Sequence, residues 1–368
     1  MEVKKQVIAR NAAIDLTKVI LAIFVIIYHQ YYWQILSFAP GLNVFSSWIY
    51  STFVLPLVVP VAFFILSSGF LSNLKENPSY RSFYNYGISL FIYWILALAL
   101  GAIIIFGAKV DWAYWKVVSY GGRYWWYVWA FFIVKALSPI INIGLRKVNK
   151  WGSLIVIVII FSLSTFYMNE SSMPFGAGDT IMLLSLYMFG GWLAVYGKRI
   201  MTSKISLRLS TAILILGIII PLILKIISYS MNSTLINDAE LDKTTSLITV
   251  IYGLALFILV WNIKIPENKF LEQLKYTFMP VYLFHFYFEM LLNKYIWSTI
   301  PIFKTHDVYY ELSVLVALIT WIITLTFAFA VGYPTAKLTN VIQQYGEKSI
   351  IWTAGKVKKK TLADQKEE

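Results

Sequence analysis

Apolar stretches that are long enough to cross a membrane recur along the whole chain. A helix needs about 20 largely apolar residues to span the hydrocarbon core, where a backbone amide finds no water to bond. Segments of roughly this length, separated by short polar connectors, lie at residues 16–32, 48–71, 84–106, 124–143, 152–168, 180–195, 207–228, 246–263, 276–292 and 312–333. The pattern predicts an all-α fold, namely a polytopic integral membrane protein with about ten transmembrane helices.

The composition limits the chemistry that the chain can carry. Apolar residues make up 59% of the sequence and charged residues 13%, about half the charged share of a soluble domain. There is no cysteine, so thiolate nucleophiles, disulfides and thiolate metal sites are excluded. The net charge of +13 comes from Lys and Arg beside apolar runs rather than on one basic face, so we expect a lipid bilayer and no nucleic acid as partner.

Lys and Arg also predict the orientation, because they accumulate in cytoplasmic loops. When the N-terminus is placed inside, most of them fall in the tails and in the even-numbered connectors. We therefore predict a multi-pass protein of the plasma membrane with both termini in the cytoplasm. It divides into a cytoplasmic N-terminal segment (residues 1–13), a transmembrane domain (residues 14–337) and a basic cytoplasmic tail (residues 338–368).

Three ionisable residues of the first apolar segment are functional candidates, since such side chains are costly inside a membrane. Lys18 and His29 are eleven residues apart, which places them on one helix face about 16 Å apart along the axis. Asp15 lies in the same sector. Asp15 and Lys18 also fit a simple interfacial position, and a lone helical histidine also fits a packing role, so these alternatives stay open.

The ninth segment carries a second intramembrane histidine, His285. Glu289 follows it one helical turn later on the same face and could orient or charge the imidazole. A purely structural hydrogen bond between the two is the alternative. Two intramembrane histidines are too few for a zinc site made by protein side chains unless a carboxylate joins them, so we expect no bound metal.

Aromatic residues cluster near the predicted helix ends, most densely in the stretch RYWWYVW that begins at Arg123. Such clusters form the interfacial belt of membrane proteins. The alternative is a binding surface for a sugar ring of an acceptor, made by Arg123, Trp125 and Trp126 at the outer face.

Several motifs resemble the membrane-bound acyltransferases of family 3, which include bacterial O-acetyltransferases of surface glycans. IDLTKVILAIFVIIYH, which contains Asp15, Lys18 and His29, resembles the first helix of that family. VPVAFFILSSGFL, GGRYWWYVWAFFIVKALSP, YTFMPVYLFH with His285 at its end, and GYP follow in family order. The sequence departs from the family in having Lys18 where arginine is more common, and only Arg81 where many members have an arginine cluster entering the third helix.

The resemblance implies that an acyl group, most often acetyl, moves from cytoplasmic acyl-CoA to a hydroxyl of a cell-surface glycan or lipid-linked saccharide. Acyl-CoA is then a donor substrate, and no bound cofactor is expected. Lys18, Arg10 and Arg81 would bind anionic groups of the donor, and Asp15 would position Lys18 or the N-terminal cations.

By the same resemblance His29 would act as a general base or briefly carry the acyl group, and His285 and Glu289 would orient the acyl group or the acceptor. The sequence ends soon after the tenth segment, without the extracellular hydrolase-like domain that some members append. We therefore expect transfer to finish in the membrane domain or to pass to a separate extracytoplasmic acyltransferase. A polysaccharide exporter or flippase is the alternative function, and a membrane module attached to a partner enzyme is a third.

The predicted orientation is testable with single introduced cysteines, because the native chain has none. A cysteine in the C-terminal tail or in the connector at residues 146–150 is expected to resist an impermeant thiol reagent in intact cells and to react after lysis. A cysteine in the connector at residues 169–179 is the external control and should react in both conditions. Labelling of the tail cysteine in intact cells would contradict the orientation.

Overall fold

The structure is a computed structural model that describes residues 11–38, 44–74, 80–105, 125–166, 177–230, 246–296, 299–300 and 306–367. Within these residues all regular secondary structure is helical, which confirms the predicted all-α class. The helices are α1 (Ala12–Phe38), α2 (Val44–Asn73), α3 (Arg81–Ile105), α4 (Trp126–Lys147), α5 (Lys150–Phe166), α6 (Ala177–Tyr196), α7 (Lys198–Thr202), α8 (Lys204–Ser230), α9 (Leu247–Asn262), α10 (Lys269–Leu274), α11 (Phe278–Tyr295) and α12 (His306–Glu367).

The predicted apolar segments each fall on one of these helices within the described residues. Seven helices, namely α1, α2, α3, α4, α6, α8 and α12, are long and apolar enough to cross a membrane. Two others, α5 and α9, are apolar but shorter. The transmembrane class is thus supported, whereas the count of about ten spans and the cytoplasmic position of both termini stay predictions.

The second helix, α2, lies at the centre of the bundle. In its segment Pro56–Asn73, 83% of the residues are buried, against 11% for Lys204–Leu224 in the peripheral helix α8. Between Pro56 and Leu66 every residue is apolar, as expected for a helix that other helices surround. It packs against α1, α4, α6, α8 and α9. The α-helix continues through Pro56 and Pro60.

Glycines allow α2 and α6 to approach each other closely. A Cβ atom at Gly69 would overlap the backbone carbonyl of Tyr187, and a Cβ atom at Gly190 would overlap the carbonyl of Leu66. Small residues serve this purpose between membrane helices, because dispersion contacts rather than water exclusion hold such helices together. The pairing of α2 with α6 therefore depends on two positions that lack a side chain.

A buried polar cluster joins α2, α4 and α6 near the end of α2. Asn73 Nδ2 donates to Asn142 Oδ1 (2.7 Å), and Asn142 Nδ2 donates to Ser72 Oγ (3.0 Å). The Tyr187 hydroxyl donates to the same Asn142 oxygen (3.3 Å). Hydrogen bonds of this kind help to hold membrane helices in one arrangement, since lipid offers their polar groups no other partner. The cluster thus fixes the three helices relative to one another.

The last helix is longer than the apolar pattern predicted. The predicted segment ends at residue 333, but α12 continues through Pro334. The continuation packs on α3, where Ser89 Oγ and Thr339 Oγ1 lie 3.0 Å apart and Arg81 Nε donates to Gln343 Oε1 (3.3 Å). Thr339 and Gln343 are buried in this contact. Polar contacts of this kind give no apolar signal in the sequence, which is why the predicted end came too early.

We predict that Gly190→Ala destabilises the bundle, because the added methyl group meets the Leu66 carbonyl on α2. Overpacking of a buried contact costs about 1–3 kcal/mol. Gly144→Ala is the matched control, since nothing lies within 4 Å of a Cβ atom at Gly144. Thermal unfolding in detergent should show a lower midpoint for Gly190→Ala and an unchanged or higher midpoint for Gly144→Ala. Equal midpoints for the two variants would show that stability does not depend on the close approach of α2 and α6.

Candidate active site

The first helix, α1, and α11 lie side by side and run in the same direction. Val19 of α1 shares an apolar cluster with Leu274, the last residue of α10, four residues before α11 begins at Phe278. Further along, Ala22 shares the next cluster with Val281. Residue numbers therefore increase in the same direction on both helices. Trp321 of α12 packs against the cluster of Ala22 and Val281 between α1 and α11. Its indole N–H donates to the Val19 carbonyl (3.2 Å).

The two candidate histidines, His29 and His285, meet further along the contact between α1 and α11. His29 Nδ1 and His285 Nε2 are 2.9 Å apart, and the ring centroids are 5.1 Å apart with an angle of 31° between the planes. His285 is almost fully buried and His29 is half-buried. The sequence singled out each histidine by itself, whereas the structure joins them by a direct hydrogen bond.

A backbone carbonyl determines which nitrogens of the histidine pair carry protons. His285 Nδ1 lies 2.7 Å from the Tyr282 carbonyl oxygen, which can only accept a hydrogen bond, so Nδ1 bears the proton. In a neutral ring, His285 Nε2 is then an acceptor, and His29 Nδ1 must donate to it. A neutral His29 consequently has its lone pair on Nε2. In the neutral pair, the nitrogen that bears no proton and does not link the two rings is therefore His29 Nε2.

Aromatic rings pack against the histidine pair on the side of the α11 N-terminus. The Tyr282 ring centroid lies 5.9 Å from that of His285 and 5.3 Å from that of Tyr127 on α4. Next to them, Phe278 packs on Phe64 of α2 with the centroids 4.3 Å apart. Closely packed rings leave little space for water, and a hydrogen bond is electrostatically stronger where water is excluded. These rings therefore strengthen the hydrogen bonds of the pair.

Trp125, a predicted acceptor-binding residue, lies buried against α11. Its exposed fraction is 1%, and its indole N–H donates to the Leu283 carbonyl (3.2 Å). This placement anchors α11 on α4 and leaves no open ring face for a sugar, so it favours a structural role. Trp126 is half-buried beside the Tyr127 ring. Arg123 lies outside the described residues, and the acceptor role of this stretch stays a prediction.

The predicted donor-binding cations lie on different helices. Lys18 is on α1, about three turns before His29, and interacts electrostatically with Asp15. Arg81 begins α3, where it bonds to α12. Arg10 lies outside the described residues. Of the two described cations, Lys18 is thus the one on the same helix as His29, and its role in donor binding stays a prediction.

Glu289 is not the hydrogen-bond partner of His285, although it lies one turn later on the same helix. Both ring nitrogens of His285 are engaged, one by the Tyr282 carbonyl and the other by His29. Glu289 is 9% exposed, and its Oε2 atom is buried without a hydrogen-bond partner among the described residues. In the same part of the chain, no group of three or more His, Cys, Asp or Glu side chains is placed to hold a metal ion.

Lys135 is an intramembrane charge that the sequence analysis did not single out. Its Nζ atom donates to Ser82 Oγ (3.3 Å) and lies 5.3 Å from the centroid of the Phe131 ring. The signal was present, because a lysine inside the predicted span at residues 124–143 is costly. By contrast, no sequence signal marks the Tyr282 carbonyl, since every residue has a backbone carbonyl.

The helices and the histidine pair define an integral membrane protein that holds a proton-accepting nitrogen among its helices. The chain belongs to acyltransferase family 3, whose sequence model, described as an acyltransferase domain, matches residues 11–334. This match confirms the resemblance that the motifs indicated, and it makes the protein a membrane acyltransferase. No curated protein and no solved structure matches the chain.

The proton positions of the pair can be measured, since the chain has three histidines in total. In protein labelled with ¹⁵N-histidine, we expect the nitrogen resonances of both His29 and His285 to report the Nδ1–H tautomer. Spectra of His285→Gln and His306→Gln assign the signals by elimination. An Nε2–H tautomer at His285 would contradict the hydrogen bond from its Nδ1 to the Tyr282 carbonyl.

Proposed function

We propose that this membrane acyltransferase moves an acetyl group from cytoplasmic acyl-CoA to a hydroxyl of a cell-surface glycan or a lipid-linked saccharide. In this proposal it is a multi-pass protein of the plasma membrane with about ten spans and both termini in the cytoplasm. The observation that carries the proposal is the histidine pair, in which His285 holds His29 so that Nε2 is the basic nitrogen. Transfer to a hydroxyl needs such a base, because a hydroxyl is a weak nucleophile until its proton is removed.

In the proposed reaction the acceptor hydroxyl gives its proton to His29 Nε2 while its oxygen attacks the carbonyl carbon of the thioester. The tetrahedral intermediate then breaks its carbon–sulfur bond, which forms the ester and releases the thiolate of CoA. The proton on His29 Nε2 passes to this thiolate. Free CoA leaves as the thiol, and the neutral base is restored.

His285 acts as a positioning residue for His29 in this reaction. When His29 gains a proton, its Nδ1–H bond to His285 Nε2 becomes charge-assisted, and such bonds are shorter and stronger than neutral ones. The Tyr282 carbonyl holds the His285 ring in the orientation that accepts this bond. The imidazolium that forms in the transition state is thereby stabilised, as it is by the carboxylate of a catalytic triad.

Lys18 is proposed to bind the anionic part of the donor. It lies about 16 Å before His29 along the axis of α1 and on the same helix face. The pantetheine arm of coenzyme A is a long, flexible chain between the phosphates and the thioester. A cation at this distance can therefore hold the phosphates while the thioester reaches His29. Asp15, which interacts with Lys18, orients the ammonium group.

Purified protein in liposomes, supplied with radiolabelled acetyl-CoA and cell-envelope glycan, is expected to transfer the label to the glycan. His29→Gln keeps hydrogen bonding but cannot act as a base at neutral pH, so it should lower kcat by at least about 10²-fold. His285→Gln should lower kcat less, because its amide oxygen can still accept from His29. His306→Gln is the matched control and should retain activity.

Near-normal transfer by well-folded His29→Gln would exclude His29 as the base. A covalent acetyl label on His29 that forms without acceptor would identify an acyl carrier instead of a general base. Movement of glycan across the membrane without consumption of acetyl-CoA would indicate a polysaccharide exporter, the alternative function.

A further inference from the structure

The carboxyl group of Glu289 takes part in none of the reaction steps proposed above, although the family resemblance implies that it orients the acyl group or the acceptor. Its side chain is 9% exposed, and its Oε2 atom is buried with no hydrogen-bond partner among the described residues. A buried polar oxygen without a hydrogen-bond partner costs free energy in a membrane protein, because neither lipid nor apolar side chains replace the hydrogen bonds of water. A buried carboxyl group in this state is therefore expected to meet a donor from a bound molecule.

Glu289 lies close to the nitrogen where the reaction takes place. It follows His285 by four residues, which is about 6 Å along the axis of α11 and little more than one full turn around it. His285 in turn contacts His29 directly. A molecule whose hydroxyl reaches His29 Nε2 therefore brings its neighbouring groups into the region of the Glu289 carboxyl group.

Glu289 and Lys18 lie on opposite sides of the histidine pair. Because α1 and α11 run in the same direction, residues before His29 and residues after His285 diverge from the pair towards opposite ends of the bundle. Lys18 precedes His29 on α1, whereas Glu289 follows His285 on α11. A donor held by Lys18 comes to the pair from one side. The molecule that meets Glu289 from the other side is therefore the acceptor.

We propose that Glu289 binds a second hydrogen-bond donor of the acceptor, a hydroxyl or an amide N–H, while the neighbouring hydroxyl reacts at His29. The inference rests on the proposed function and names the residue that selects its acceptor class. A carboxyl oxygen accepts hydrogen bonds, and a site built to bind such a group rejects analogues that lack it. The site thus selects molecules with several donors close together, as in a saccharide, over alcohols with a single hydroxyl.

The test compares two acceptors with the same alkyl chain, octyl β-glucoside and 1-octanol, using the full-length protein in nanodiscs and acetyl-CoA as donor. A thiol reagent reports released CoA directly, because the protein has no cysteine. Glu289→Met removes both carboxyl oxygens that can accept a hydrogen bond, with little change in side-chain volume. Glu289→Gln retains one such oxygen. Glu272→Gln is the matched control, since the Glu272 side chain is 64% exposed and pairs with Lys275 on the surface.

Wild-type protein is expected to prefer octyl β-glucoside to 1-octanol. Glu289→Met should lower kcat/KM for the glucoside at least about tenfold, which corresponds to about 1.4 kcal/mol, and leave 1-octanol unchanged. Glu289→Gln should keep most of the preference, and Glu272→Gln all of it. Equal losses for both acceptors, or no loss for either, would overturn the inference while the acyltransferase reaction stands.

Equilibrium binding of radiolabelled octyl β-glucoside gives a second readout that needs no turnover. Binding at least about tenfold weaker in Glu289→Met than in wild type supports the inference, and equal binding by the well-folded variant overturns it. Binding that depends on Glu289 without any release of CoA would contradict the proposed function alone.

Discussion

The hydrocarbon core of a bilayer offers neither hydrogen-bond donors nor acceptors, and every polar group inside it must find a partner in the protein or in a bound molecule. Helices satisfy the backbone in this way. Between the helices the same constraint pairs Asn73 with Asn142 and His29 with His285. Each pair joins helices that are distant in sequence, so the need to satisfy polar side chains also determines which helices lie together.

The histidine pair shows how this constraint produces reactivity. The Tyr282 carbonyl can only accept, so it orients His285, and His285 in turn orients His29. Through two successive hydrogen bonds the Tyr282 carbonyl therefore determines the tautomer of His29, the imidazole that we propose as the base. No carboxylate is needed for this, which suits a site inside a membrane, where an unpaired charge is expensive.

The parallel arrangement of α1 and α11 gives the site two distinct sides. In our proposals Lys18 serves the donor on one side, and Glu289 serves the acceptor on the other. A membrane enzyme that joins substrates from two compartments needs such a separation, because each substrate must reach the base without crossing the position of the other. The packing of Trp125 on the Leu283 carbonyl and of Trp321 on the Val19 carbonyl holds the helices that form the two sides.

The sequence by itself determined where the helices lie and which ionisable residues fall within their apolar segments. Apolar length specifies a membrane helix without knowledge of its neighbours, and helical periodicity alone places Lys18 and His29 on one face. The sequence could not determine the contact of His29 with His285 or the burial of Trp125. Nor could it show that Glu289 Oε2 has no hydrogen-bond partner among the described residues, or that α12 extends beyond residue 333. Each of these depends on how helices from distant parts of the chain fit together. That fit is decided by close approaches such as those at Gly69 and Gly190 and by polar pairs between helices, none of which leaves a periodic signal in one segment.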